Sequence, residues 1–299
     1  MNELNIYLRR TYFYVKVLLV FCQMFKIFRM NVKFVFLDSG TGGLPYLKYL
    51  LQKHPDEKCV YIGDTKNFPY GEKTESEIQE NALACVQKII FRWNPMAVII
   101  ACNTISVSSL DILRKTFPKT QFIGTVPAIK PAAQISKTKK IGLLATNATV
   151  NHPYTKKLIE DFAGDCEIFS RGDPQLINFI EHKFYSSSES ERLEAVLPSV
   201  EFFKEKGCDV IVLACTHFLN MAEYFKIQGA PSLKIVDSRE GVVKHAFQIE
   251  ENSLQKNEKN SSGFPNSLLY VTGFKNKNDS LFYKNFCREN KIEFGGILD

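Results

Sequence analysis

The strongest constraint on how this chain can fold is a motif that occurs twice. Ala97-Val98-Ile99-Ile100-Ala101-Cys102 runs into Asn103-Thr104, and Asp209-Val210-Ile211-Val212-Leu213-Ala214-Cys215 runs into Thr216-His217. Both runs are short, apolar and rich in β-branched residues, with no polar alternation. That is the composition of a strand covered on both faces, as in a parallel sheet flanked by helices. Each cysteine then sits at a strand's carboxyl end, where open α/β sheets place their ligands. Two thiols in equivalent positions, each followed by polar residues, have to be explained together.

The surrounding pattern repeats as well. Val32 to Leu37 reads as a first strand that runs into Asp38-Ser39-Gly40-Thr41-Gly42-Gly43 and then a helix from Leu44 to about Lys53. Glycines before a helix suggest a phosphate loop. The spacing is neither GxGxxG nor GxxxxGKS, however, and an aspartate at the strand end repels phosphate. Cys59 to Asp64 reads as a second strand, leading to the turn Asn67-Phe68-Pro69-Tyr70-Gly71. Helices are expected over 75–92 and 106–115, with a strand over 121–126. A similar strand and polar turn restart at Lys140 to Thr149, and helices are expected over 153–162, 174–183 and 188–206. A strand at 234–237, a helix through about 250, an exposed polar loop over 251–266, a strand at 267–272 and a helix at 279–290 complete the chain. From polar turn to cysteine is 64 residues in the first half and about 70 in the second, which points to a duplicated αβ unit. The alternation argues for an α/β fold with mostly parallel sheets.

Composition narrows the function. The 45% hydrophobic and 23% charged fractions are those of an ordinary globular chain. The net charge is +6, of which residues 1–29 carry +4, so the remainder is too weakly basic to argue for nucleic acid. The eight cysteines lack the dense spacing of a secreted disulfide scaffold and contain no CxxC, which favours a reducing, cytoplasmic setting. Residues 1–29 form an atypical N-terminal extension, basic and aromatic. A signal peptide lacks its small-residue cleavage site here, the apolar run from Tyr12 to Cys22 is short for a membrane span, and a membrane-surface helix is a third reading. The preferred expectation is that the natural chain starts at Met30, with no stable membrane insertion.

A cysteine at a strand end serves as nucleophile, redox thiol, metal ligand or proton carrier. Metal is the weakest option, because Cys215-x-His217 supplies two ligands and no compact Cys/His cluster supplies more. A lone nucleophile leaves its twin unexplained, and a disulfide needs the sulfurs in contact. Two thiols bracketing one carbon suit a two-base stereoinversion, one removing a proton as the other returns one to the opposite face. Their titrations are then coupled. Asp38 beside one sulfur and His217 beside the other are placed to assist.

The motifs Asp38-Ser39-Gly40-x-Gly42-Gly43-Leu44, Pro69-Tyr70-Gly71, Ala101-Cys102-Asn103-Thr104, Val126-Pro127-Ala128 and Cys215-Thr216-His217 resemble, in chain order, those of the glutamate racemases of the aspartate/glutamate racemase family. The resemblance covers about 30 to 299. It implies two similar αβ domains facing each other across a cleft: 30–127 plus 235–299 as the first and 128–234 as the second. It implies interconversion of L- and D-glutamate without cofactor or metal, supplying D-glutamate for peptidoglycan. By the same likeness Cys102 is the base for the D-enantiomer and Cys215 for the L-enantiomer. Asp38, Ser39, Pro69, Tyr70, Gly71, Asn103, Thr104, Thr149, Thr216 and His217 fall on substrate-contacting positions. The substrate is a small molecule, and a homodimer is one assembly the likeness allows.

Some positions depart from the pattern. Phe218-Leu219-Asn220 stand where an aromatic and Pro-Leu are usual, and Ile105 stands where an alanine is usual. Glu181, in the atypical stretch 168–185, reads either as a helper acid or as an exposed helix carboxylate. A two-cysteine racemase for aspartate or a hydantoin is the nearest rival, though His217 favours glutamate. A thiol redox or binding protein without turnover is the rival from another class.

Overall fold

The computed structural model describes residues 32–252, 266–276 and 278–298. The expectations for residues 1–29, the start at Met30 and nearly all of the loop at 251–266 lie outside them. In chain order the elements are β1 (Phe34–Asp38), α1 (Leu44–Lys53), β2 (Val60–Gly63), a 3-10 turn (Tyr70–Glu72), α2 (Glu75–Trp93), β3 (Ala97–Ile100), α3 (Asn103–Thr116), β4 (Gln121–Gly124), α4 (Ile129–Ile135), β5 (Lys140–Ala145), α5 (Asn147–Asn151), α6 (Pro153–Ala163), β6 (Glu167–Gly172), α7 (Pro174–His182), α8 (Glu189–Glu205), β7 (Val210–Leu213), a 3-10 segment (Thr216–Met221), α9 (Ala222–Gly229), β8 (Lys234–Val236), α10 (Arg239–Asn252), β9 (Leu268–Val271), α11 (Asp279–Glu289) and β10 (Glu293–Ile297).

The described strands form two sheets, a six-stranded one in the order β10-β9-β2-β1-β3-β4 and a four-stranded one in the order β6-β5-β7-β8. Every pairing is parallel. The fold is therefore α/β with two parallel sheets. The apolar runs explain it: β1, β2, β3 and β7 are buried at every residue, which requires cover on both faces. Pleating then divides each strand between two cores. Val35, Leu37, Val98 and Ile100 face one cluster with helix α2, while Ile141, Leu143, Val210 and Val212 face another behind the second sheet. Phe34, Phe36, Tyr61 and Ile99 face a third cluster, which also takes in Leu144, Ile211, Leu213 and Cys215. That shared core ties the two sheets together, so the strand ends that carry the thiols hold a fixed relation. Among the described residues no helix is long and apolar enough to cross a membrane.

Helix starts follow capping chemistry. Thr74 with Glu77 opens α2, and Ser188 with Glu191 opens α8, each as a reciprocal capping box. Three differences from expectation have physical reasons. Helix α3 begins at Asn103, not near 106, because Cys102 itself is the N-cap residue and the Ser106 hydroxyl bonds back to the Ile100 carbonyl at 3.1 Å. The expected break between 234 and 235 falls inside β8, which pairs with β7 and completes the second sheet. Strand β10 was not expected. Its Gly295 and Gly296 carry no strand propensity, and the strand exists because Gly295 leaves room for the Tyr270 ring, where a Cβ would meet ring carbons at 2.4 Å.

Candidate active site

One cavity of about 220 Å³ receives both strand ends. Ser39, Phe68, Pro69, Tyr70, Gly71, Glu72, Cys102, Asn103 and Thr104 line it from the larger sheet's side. Thr146, Asn147, Pro174, Ile177, Asn178, Cys215, Thr216 and His217 line it from the other. The two thiols therefore meet one space from two different sheets. Both are buried, free cysteines. Among the described residues no group of three or more His, Cys, Asp or Glu could hold a metal ion.

The surroundings of Cys102 come from the turn after β1. Its sulfur contacts the Ser39 hydroxyl at 3.8 Å. Asp38 lies behind Ser39, fully buried and off the cavity wall. Its Oδ2 accepts N–H bonds from Gly43 at 2.9 Å and Gly40 at 3.3 Å, while Oδ1 accepts the Thr216 hydroxyl at 3.4 Å. Asp38 thus bridges the two cysteine motifs. Burial raises its pKa above the usual carboxylate value, against the pull of His217 and of backbone N–H groups. Burial first, and then the Asp38 charge, push the Cys102 thiol well up, so it rests protonated.

The surroundings of Cys215 are built differently. Its sulfur lies 3.7 Å from His217 Nδ1, and His217 Nε2 lies 2.9 Å from Glu181 Oε2. Glu181 projects from the C-terminal end of α7 and also accepts the Thr41 hydroxyl at 3.4 Å. Its side chain is 12% exposed, which corrects the reading of an exposed helix carboxylate. Burial alone lowers a histidine pKa, but the bonds to Cys215 and Glu181 outweigh it and hold His217 well above its ordinary value. Burial also works against the Glu181 carboxylate, and His217 overcomes it to bring the carboxyl below its ordinary value. The pair is therefore an imidazolium–carboxylate ion pair with Nδ1 turned to the sulfur. The polar turn makes room for it: a Cβ on Gly42 would lie 2.6 Å from His217 Nδ1.

Of the expected contact residues, Ser39, Pro69, Tyr70, Gly71, Asn103, Thr104, Thr216 and His217 reach the cavity wall. Asn103 donates to the Thr125 carbonyl through Nδ2 and keeps Oδ1 buried without a partner. Thr149 stands behind the wall, bonded at 3.0 Å to Thr146, which is the residue that lines it. Thr104 joins them at 3.0 Å from Thr146, giving three hydroxyls contributed by both sheets. Thr146 was missed, although its place as N-cap three residues before Thr149 was a usable signal. The Tyr70 hydroxyl turns away from the cavity to Asp64, so the loop offers its backbone. Asp64 also accepts from Asn67 at 3.0 Å and from Thr272 at 2.5 Å, which fastens the loop to the end of β9.

Known proteins are similar to this chain in sequence and in fold. The Asp/Glu/hydantoin racemase family model matches residues 45–246. A glutamate racemase of Treponema pallidum is 37% identical over 271 residues, 91% of this chain and 98% of its own length. The crystal structure of Escherichia coli glutamate racemase, in complex with L-glutamate and the activator UDP-MurNAc-Ala, matches with a TM-score of 0.76 at 29% identity, covering 89% of this chain and 97% of that one. Glutamate racemase from Francisella tularensis, in complex with D-glutamate, matches at 0.72 and 26% identity, covering 90% and 98%. With the family model spanning more than half of its length and a relative matched along 91% of it, the chain belongs to the Asp/Glu/hydantoin racemase family.

Proposed function

We propose that this chain interconverts L- and D-glutamate by proton exchange at Cα between two thiols, with no cofactor or metal. One observation carries the reading: two buried thiols open on one small cavity from two sheets, each with its own proton partner. Similar proteins hold L-glutamate in one case and D-glutamate in another. In the L-to-D pass the Cys215 thiolate takes the Cα proton, and the Cys102 thiol delivers its own to the opposite face. One C–H and one S–H bond break and one of each forms, with no change of oxidation state. The reverse pass starts from the Cys102 thiolate.

The imidazolium of His217 stabilises a Cys215 thiolate, and Glu181 keeps that imidazolium charged. Ser39 and Asp38 serve the other sulfur. Asn103 Oδ1 is an acceptor awaiting a donor such as the substrate ammonium. Hydroxyls of Thr104, Thr146 and Thr216 with the backbone of Tyr70 and Gly71 suit the carboxylates, and Thr149 fixes Thr146. The product D-glutamate supplies peptidoglycan synthesis in the cytoplasm, where thiols stay reduced.

The test is racemisation in D2O without added pyridoxal phosphate. Deuterium should enter the product enantiomer while recovered substrate keeps its protium early in the reaction. Cys102→Ser and Cys215→Ser should each abolish it. Exchange with aspartate alone would reassign the substrate. No exchange with any acidic amino acid, with a change of state on disulfide formation, would favour the redox reading.

A further inference from the structure

Tyr61 is on β2, paired in register beside Phe36 and fully buried. We propose that it is a positioning residue for Asp38, its hydroxyl determining which carboxylate oxygen is left to exchange a proton with the site. This role rests on the racemase reading above. The Tyr61 hydroxyl lies 3.1 Å from Asp38 Oδ2 and 3.1 Å from the Gly40 carbonyl oxygen. It reaches them past Gly43, where a Cβ would come within 3.0 Å of the hydroxyl.

Oδ2 already holds the N–H groups of Gly43 and Gly40. With the Tyr61 O–H it has three donors, and an oxygen so occupied is a poor proton acceptor. Oδ1 has the longer contact with Thr216 and becomes the basic oxygen. The hydroxyl also has one hydrogen for two acceptors. While Asp38 is ionised the hydrogen goes to Oδ2, where a charge-assisted bond is stronger. Once Oδ1 is protonated, the hydrogen can turn to the Gly40 carbonyl. Rotation of a single O–H lets Asp38 change charge without leaving a buried hydroxyl unpaired.

Burial opposes the Asp38 carboxylate, and a hydroxyl donating to Oδ2 favours the ionised form. The other charged or titratable groups facing Asp38 are Cys102 ahead of α3, Glu181 on α7 and His217 in the 3-10 segment. All of them remain in Tyr61→Phe. That variant should raise the Asp38 ionisation midpoint by about one pH unit, a tenfold change in proton affinity. The midpoint is read from 13C carboxyl NMR of aspartate-labelled protein, with the Asp38 resonance assigned by its loss in Asp38→Asn. The acid limb of kcat/KM should move with it. Tyr46→Phe is the control, because it removes another buried hydroxyl, bonded at 2.7 Å to Ser238, and should leave both unchanged. If Tyr61→Phe does not fold, 3-fluorotyrosine at position 61, a stronger donor, should lower the midpoint instead. An unmoved midpoint, or an equal shift in Tyr46→Phe, would overturn the proposal. The titration needs no turnover. A shifted midpoint in a protein inert toward glutamate would therefore sink the racemase reading alone, while an active protein with an unmoved midpoint would sink the role of Tyr61 alone.

Discussion

Replacing Gly42 with alanine tests whether the placement of His217 limits the reaction. Gly42 is not among the residues with left-handed backbone, so alanine introduces no backbone strain. The effect is one of space. The new methyl would lie 2.6 Å from His217 Nδ1, 2.7 Å from Cε1 and 2.8 Å from Cγ. Ordinary contact begins near about 3.5 Å, so the ring must yield by about 0.9 Å. It cannot turn out to solvent, being 3% exposed and flanked by the Phe68 ring at 5.7 Å. The displacement must lengthen the contact with Cys215 or the bond to Glu181. A misplacement of about 1 Å in a reacting group costs on the order of 10²-fold in rate, or about 2.7 kcal/mol of barrier. Overpacking should also lower stability by about 1–3 kcal/mol.

The assay is kcat for each glutamate enantiomer by circular dichroism, with a thermal melt to establish folding. The enantiomers have equal free energy in water, so kcat/KM must fall equally in both directions. Damage local to Cys215 should appear as a larger primary isotope effect on Cα-deuterated L-glutamate than on the D-enantiomer. Gly40→Ala is the comparison. Its Cβ meets Glu181 Oε1, the oxygen not bonded to His217, at 3.0 Å, so a shift of about a few tenths of an ångström relieves it, and the loss should stay under about tenfold. A folded Gly42→Ala enzyme with kcat within about twofold of the parent would refute the reasoning.

Two further outcomes are expected. Glu181 is held below its ordinary 4.5 and His217 above its ordinary 6.5. The Glu181 contribution is complete above 4.5 and lost as pH falls through its lowered value, while the His217 contribution is complete below 6.5 and lost as pH rises through its raised value. Tm should therefore gain most from the pair between those two values, and Glu181→Gln should flatten both limbs of the Tm–pH curve; an unaltered curve would count against the ion pair. Thr272→Val removes one donor from Asp64 and loosens the anchor of the Tyr70 loop. A bond to a charged acceptor is worth about 1.5–3 kcal/mol, so KM should rise about tenfold or more with a smaller change in kcat; an unchanged KM would show that the loop is held elsewhere.

Features carried by neighbouring residues could be read from the sequence. The Ala-Cys strand ends, the turn from Asp38 to Gly43 and Pro69-Tyr70-Gly71 are each local, and the continuous apolar runs before the first two mark them as strand ends. What could not be read were contacts between segments distant in sequence. Glu181 meets His217 across 36 residues, and Tyr61 meets Asp38 across 23. Nothing local distinguishes Glu181 from a solvated helix carboxylate until α7 packs against the 3-10 segment. The resemblance points to Thr149, while Thr146 is the residue on the wall, because hydroxyl content does not reveal which side of a short helix faces the cavity. Strand β10 was hidden because tertiary packing, not propensity, makes it a strand.

The fastening of Asp64 to Thr272 spans 208 residues. At about 5–20 residues per second of synthesis, Thr272 is made about 10–40 s after Asp64. Throughout that interval β9 is missing, and β2 is an open edge of the unfinished sheet. The growing chain carries Cys102, and then Cys215, before the residue that tethers the Tyr70 loop exists. Order of synthesis thus becomes order of competence: both thiols are present early, and the site that uses them is completed only as the last strands arrive.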